Sequence, residues 1–206
     1  MLFARMFFVL FFLTTVVFAF TSEVVVFPSD KIQGEGPFPY NYRIIDDHIH
    51  AGGHPLNPKN NLRNNDEQAL HILKYLKSKG VETIIDLDNT SSIYFRYKRL
   101  LREAGLECFF VPMNADKTPN KEEWLDIKEA MKDPVYLHCK WGADRTGAII
   151  ARYLVEVRGY SPKQAFEAVI TGGTHAGTLG GLKAEKYQKL VKFFWPDYSP
   201  KLLSRK

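Results

Sequence analysis

Pro134-Val135-Tyr136-Leu137-His138-Cys139-Lys140-Trp141-Gly142-Ala143-Asp144-Arg145-Thr146-Gly147 is the stretch on which the reading of this chain turns. Val135, Tyr136 and Leu137 form a short apolar run of the kind that makes a buried parallel strand. Cys139 to Asp144 then reads as a loop, with Arg145 and Thr146 at the mouth of a strongly apolar helix. A loop between a strand and a helix N-terminus aims backbone N–H groups at one spot, and the helix dipole favours negative charge there. The same field lowers the pKa of a thiol, so Cys139 is expected as a thiolate. Arg145 closes the loop with a planar fork that matches two phosphate oxygens. One continuous segment thus brings together a nucleophile, an anion cradle and a charge clamp, which points to phosphate-ester chemistry.

The pattern His138-Cys139, five residues, Arg145-Thr146-Gly147 resembles the signature of the cysteine-dependent protein tyrosine and dual-specificity phosphatases. A bare cysteine and arginine at this spacing arise often by chance; the flanking His138, the internal Gly142 and the Thr146-Gly147 pair make the match specific. The resemblance extends loosely over residues 42–194 and is nearest to small bacterial-type dual-specificity phosphatases. It implies a phosphocysteine intermediate and no metal or organic cofactor. It also implies that Lys140, Trp141, Gly142, Ala143, Asp144 and Arg145 surround the phosphate. In this scheme Gly142 lets the backbone approach the phosphate, Thr146 donates a hydrogen bond to the cysteine sulfur, and His138 supports the loop from behind. Lys140 resembles members acting on phosphoinositides, Asp144 partly cancels its charge, and Trp141 lines the pocket or covers the loop. Some relatives protect the nucleophile through a disulfide, a role open to Cys108.

With 206 residues the chain suits one domain plus an extension, and 45% hydrophobic with 25% charged residues describes an ordinary globular protein. A net charge of +5 suits anionic substrates. No Lys/Arg run with interleaved aromatics is present, so nucleic acid is not an expected partner. Arg96, Lys98, Arg99 and Arg102 lie opposite Ile93, Tyr97, Leu100 and Ala104 and read as a solvated helix face.

Residues 1–20 carry Arg5 and an apolar run from Met6 to Phe20, with small Ala19 near its end. That fits a secretory signal, hence a periplasmic or secreted protein, or else an uncleaved membrane anchor. Residues 21–41 read as a linker, 42–195 as the domain and 196–206 as a tail. Asp46, His48 and His50 could hold zinc in a long barrel, but the chain is too short for one. Ala51-Gly52-Gly53-His54-Pro55 instead resembles the opening segment of bacterial dual-specificity phosphatases.

Residues 66–79 read as a helix capped by Asp66 and ended by Gly80, 81–87 as a strand, 91–104 as an amphipathic helix, and 106–111 as a strand. Asp86 and Asp88, at the end of the first of these strands, depart from the basic or neutral residues usual in the family. A helix over 121–132 precedes the quoted stretch; Gly147–Arg158, a helix opened by Ser161-Pro162, a glycine-rich connection over 172–181 and Lys183–Phe194 follow it. This rhythm predicts an α/β fold with a mainly parallel sheet of about four or five strands flanked by helices, and ligands bind outside the carboxyl ends of such strands.

Expelling an oxygen leaving group needs a proton, worth about 10²–10⁴-fold. Pro112-Met113-Asn114-Ala115-Asp116 resembles the family's acid loop, which makes Asp116 the candidate general acid. It stands nearer Cys139 than in most relatives, with one extra residue after the proline; Asp126 and Asp133 are poorer candidates. The substrates this implies are phosphorylated proteins or, alternatively, lipid or inositol phosphates. A phosphate-binding protein without catalysis is the reading that remains if Asp116 is misplaced.

Overall fold

The computed structural model describes residues 38–56, 64–89, 91–171, 181–183 and 185–200. The expectations for residues 1–20, most of the linker and the glycine-rich connection lie outside them. Among the described residues no helix is long and apolar enough to cross a membrane.

Five strands, β1 (Arg43–Ile45), β2 (Ile49–Gly53), β3 (Thr83–Asp86), β4 (Glu107–Phe110) and β5 (Val135–Cys139), form one sheet in the order β1-β2-β5-β3-β4. All neighbours run parallel except β1, which returns antiparallel on β2. The hairpin between these two turns on Asp46 and Asp47, both at positive φ. The helices are α1 (Asp66–Ser78), α2 (Tyr94–Ala104), α3 (Lys121–Ala130), α4 (Asp144–Glu156), α5 (Pro162–Thr171) and α6 (Gln188–Phe194).

Side chains alternate across a strand, so β5 feeds both layers. Tyr136 packs with Ile84, Leu73, Leu76 and Leu100 beneath α1 and α2. Val135, Leu137 and Cys139 face the larger core built by α3 to α6, including Ile149, Leu154, Phe166 and Leu190. Helix α4 is buried along most of its length, which fits its nearly all-apolar sequence.

Several local expectations change. Helix α1 starts from a capping box of Asn65 and Gln68, not from Asp66. Asp66 instead pairs with Arg99 and, at 2.5 Å, with Arg96, so these two arginines tie α2 to α1 while Lys98 and Arg102 stay exposed. Tyr198, placed by the sequence reading in a tail, is buried against Phe166 and Trp195. His48 contacts the Asp46 and Met131 carbonyls, His50 contacts the Tyr42 hydroxyl, and Asp46 accepts from Tyr153. The Asp46–His50 segment therefore braces the hairpin and does not gather its side chains round a metal. Cys108 aligns with Ile84 and Ile84 with Tyr136, two strand spacings of about 4.8 Å apart. Cys139 lies three residues further on and faces the other layer, beyond the roughly 7 Å that a disulfide spans. Burial raises the Cys108 thiol's pKa. A protective disulfide is ruled out by this register.

Candidate active site

Cys139 ends β5, and Arg145 enters in the first turn of α4, whose N-cap Ala143 supplies no side-chain cap. Both line one cavity of about 310 Å³, with Trp141, Ala143 and Asp144 from the same loop. Met113, Asn114 and Ala115 of the loop after β4, together with Asn89 and Tyr187, complete it. The site sits at the carboxyl edge of the parallel strands, as expected for this topology. Lys140 and Gly142 do not line it. Lys140 is exposed, its ammonium 5.6 Å from the centre of the Trp141 ring, and Trp141 in turn packs edge-on against Tyr40 at 5.5 Å.

Gly142 seats the loop on the sheet. Its φ is +65°, and a Cβ there would stand 2.2 Å from the Gly52 carbonyl carbon. The loop is thus seated on the end of β2, which only a residue without a side chain permits. The Gly142 carbonyl accepts from Asn41 Nδ2 at 3.1 Å, and the Lys140 carbonyl accepts from the His54 amide at 3.2 Å.

Arg145 Nη1 donates to Asp88 Oδ1 at 2.8 Å and to the carbonyls of Leu87 and Met113 at 3.2 Å each. One nitrogen therefore holds the ends of β3 and β4. Burial acts to lower the pKa of this guanidinium, but the charges of Cys139 and Asp88 outweigh it and hold it above the usual value. The two acids that looked out of place in the sequence now have places: Asp88 clamps Arg145, and Asp86 Oδ1 accepts the Asp88 amide at 2.8 Å.

His138 is fully buried on the far face of β5, its Nε2 3.0 Å from the Tyr97 hydroxyl and its Nδ1 3.6 Å from Asp86 Oδ1. Its pKa lies well below the usual range, through burial first and then the neighbouring His54. His54, Asp86 and His138 bring one donor atom each within 4.8 Å of one another, a spacing a cation could use. His54 Nδ1, however, accepts the Leu56 amide at 3.0 Å, so the proton of the neutral ring sits on Nε2 and leaves no lone pair there. Thr146 is fully buried, and its Oγ1 lacks a hydrogen-bond partner, so the expected bond to the Cys139 sulfur is not formed.

Asp116 is exposed and directed outward, its Oδ1 3.1 Å from Lys189 Nζ. The loop carrying it is tightened by Asn114, whose Oδ1 accepts the amides of Asp116 and Lys117. Cys139 and Arg145 line the same cavity; Asp116 stands one residue beyond the lining.

Sequence reasoning missed Asp88 and Tyr187. The acidic pair at the end of β3 was a usable signal for the first, since that strand end and the cysteine loop share an edge. No local pattern marks Tyr187, which reads as a packing residue of the last helix.

A family model described as "Polymorphic toxin system, DSP-PTPase phosphatase" matches residues 62–159. Dual specificity protein phosphatase TpbA of Pseudomonas aeruginosa (strain UCBPP-PA14) is 27% identical over 110 residues, covering 52% of this chain and 47% of that protein. Phosphatidylglycerophosphatase and protein-tyrosine phosphatase 1 of Mus musculus is 38% identical over 47 residues, 23% of this chain and 24% of the relative. This chain thus spans about half the length, or less, of the curated relatives it matches. Among solved structures, P. aeruginosa TpbA in complex with pTyr superposes with TM-score 0.57 at 16% identity, over 90% of this chain and 99% of that one. PTPMT1 in complex with PI(5)P gives 0.53 at 20% identity, over 75% and 95%. These two structures speak to the fold. By the family match and the motif from His138 to Gly147, the chain is similar to the cysteine-dependent protein tyrosine and dual-specificity phosphatases.

Proposed function

We propose that this chain hydrolyses phosphomonoesters through a phosphocysteine intermediate. The observation that carries the reading is the convergence of the Cys139 and Arg145 side chains on one cavity at the mouth of α4. Cys139 Sγ attacks phosphorus as the P–O bond to the leaving group breaks. The Arg145 fork and the loop amides hold the equatorial oxygens where charge accumulates. The leaving oxygen takes a proton from Asp116. Water, with Asp116 as base, then opens the S–P bond and restores the thiolate.

For this role Asp116 has to leave Lys189 and turn inward. An exposed ion pair of that kind is worth about 0–1 kcal/mol, a small barrier to such a swing. The test is phosphate release from phosphotyrosine, phosphoserine and phospholipid substrates by wild type, Cys139→Ser and Asp116→Asn. Cys139→Ser is expected to abolish turnover, and full activity in that variant sinks the proposal. Asp116→Asn is expected to lower kcat by about 10²–10⁴-fold. Binding of a phosphopeptide by wild type without any release would instead favour a phosphate-binding protein.

A lipid or inositol phosphate substrate is the second reading. Exposed Lys140 beside the pocket favours it, as do the names of the mouse relative and of the PTPMT1 complex. Export through residues 1–20 is proposed as well, on the apolar run that follows Arg5. N-terminal sequencing of the mature protein tests it; an intact Met1 on soluble cytosolic material counts against it.

A further inference from the structure

Arg43 is a buried cation that the motif does not include. It is 1% exposed, and it donates from Nη1 to the Asn41 carbonyl at 2.8 Å, while Nε and Nη2 lack hydrogen-bond partners. Among the described residues no carboxylate forms a salt bridge with it. Leaving a charge dry and unpaired costs several kcal/mol, so a side chain kept this way needs an anion nearby.

The sheet register says where that anion is. Arg43 pairs with Ala51, and Ala51 pairs with Leu137, so Arg43 shares the face of Leu137 and therefore of Cys139. The Arg43 side chain reaches back to the Asn41 carbonyl, toward the level of Gly53. Gly53 donates its amide to the Tyr40 carbonyl at 2.7 Å and pairs with Cys139 in β5. Asn41 also donates to the Gly142 carbonyl, so the residue that accepts from the guanidinium is itself bonded to the loop of residues 139–142. Asp86, the buried carboxylate of the neighbourhood, belongs to the opposite face with His138. Burial pulls the Arg43 pKa down to about 10, and the Cys139 charge acts against that fall.

We propose that Arg43 is a positioning residue of the site: an interior cation that balances the Cys139 thiolate from beneath while Arg145 faces the substrate. The inference rests on Cys139 acting as an anionic nucleophile. The charged groups that feel the Cys139 charge on its own side of the sheet are Arg145 from α4 and Arg43 from β1, with Asp144 lining the same cavity; Tyr136 and His138 lie on the other face of β5. Two cations on opposite sides leave the thiolate paired both with and without bound phosphate. In the thiophosphoryl intermediate, where the sulfur is no longer anionic, the Arg145 fork turns to the phosphoryl oxygens and Arg43 stays in reserve for the returning thiolate.

The test is the pH dependence of iodoacetamide alkylation at Cys139, followed by peptide mass spectrometry so that Cys108 does not contribute. In Arg43→Met, which keeps the volume and replaces a buried charge by apolar atoms, the alkylation profile is expected to move upward by about one pH unit. Arg43→Lys is expected to return it toward wild type. A folded Arg43→Met with an unchanged profile overturns the proposal, as does an Arg43→Lys profile no closer to wild type than that of Arg43→Met. If Arg43→Met does not fold, Arg43→Gln supplies the same comparison under the same criterion. Alkylation needs no turnover, so a wild type that alkylates normally but releases no phosphate counts against the hydrolase reading alone.

Discussion

Asp88 and Arg145 form an ion pair at 2.8 Å with side chains only 18% and 19% exposed, at the rim of the cavity. The carboxylate withdraws part of the charge that a phosphate would otherwise meet, and in exchange it fixes the direction of the fork. Asp88→Ala is therefore expected to lower kcat/KM for an aryl phosphate by about 10-fold, equivalent to roughly 1.4 kcal/mol of transition-state stabilisation. Asp88→Asn keeps an acceptor for Nη1 and loses the charge, so kcat is expected to hold while inorganic phosphate inhibits at lower concentration. Steady-state kinetics with product inhibition separates the two outcomes; equal losses in both variants would show that charge, not orientation, is what Asp88 contributes.

At the level of elements, the cysteine loop rests on β2 and is closed over by the C-terminal helical segment. Gly142→Ala introduces a Cβ into the Gly52 backbone at a positive φ. The expected loss is at least about 2 kcal/mol, from overpacking together with backbone strain. Urea titration reads it as a lower midpoint, and activity is expected to fall with it because the loop is displaced. Tyr187 comes from the short helical turn Glu185–Tyr187 ahead of α6 and lines the cavity across the chain from Trp141. Its ring carries the Lys186 ammonium 4.8 Å from its centre. If these aromatic rings flank the substrate, Tyr187→Ala is expected to lower kcat/KM for an aryl phosphate several-fold more than for an alkyl phosphate, and Tyr187→Phe is expected to retain the difference. Both substrates falling equally would reduce Tyr187 to a packing residue. The repeating strand–helix pattern and the motif at the β5–α4 junction were legible along the chain because each depends on neighbours a few residues apart. Tyr187 was not, because its approach to the cavity is set by how α4, α5 and α6 pack on the sheet.

For the whole molecule the sheet's interior polar groups set its response to acid. Burial pulls the pKa of His50 and His54 down to about 4, and lowers that of His138 as well. Each is neutral when folded, whereas the unfolded chain protonates near 6.5. A group whose folded pKa is depressed stabilises the fold above the unfolded pKa and loses that contribution as pH falls. Between pH 6.5 and 4, unfolding free energy is expected to fall by up to roughly 1.4 kcal/mol per pH unit for each such histidine. Urea midpoints at pH 7.5 and 5 check this, and His54→Gln is expected to flatten the slope. A stability that rises on acidification would contradict the buried neutral histidines.

Read along the chain alone, this protein already disclosed its α/β class, the strand-loop-helix at 135–147, and Cys139 and Arg145 as partners. Those features are local: hydrophobic periodicity, a helix N-terminus, and a nucleophile and a fork within one loop's reach. Three-dimensional packing decided what lies around them. It set Asp88 on Arg145, Gly142 on Gly52, Arg43 on the Asn41 carbonyl and Asp116 against Lys189, and it put Cys108 on the wrong face to reach Cys139. Each of these depends on strand register or on which elements share the carboxyl edge of the sheet. Spacing within a segment carries no record of either, because strands far apart in the chain become neighbours only when the sheet closes.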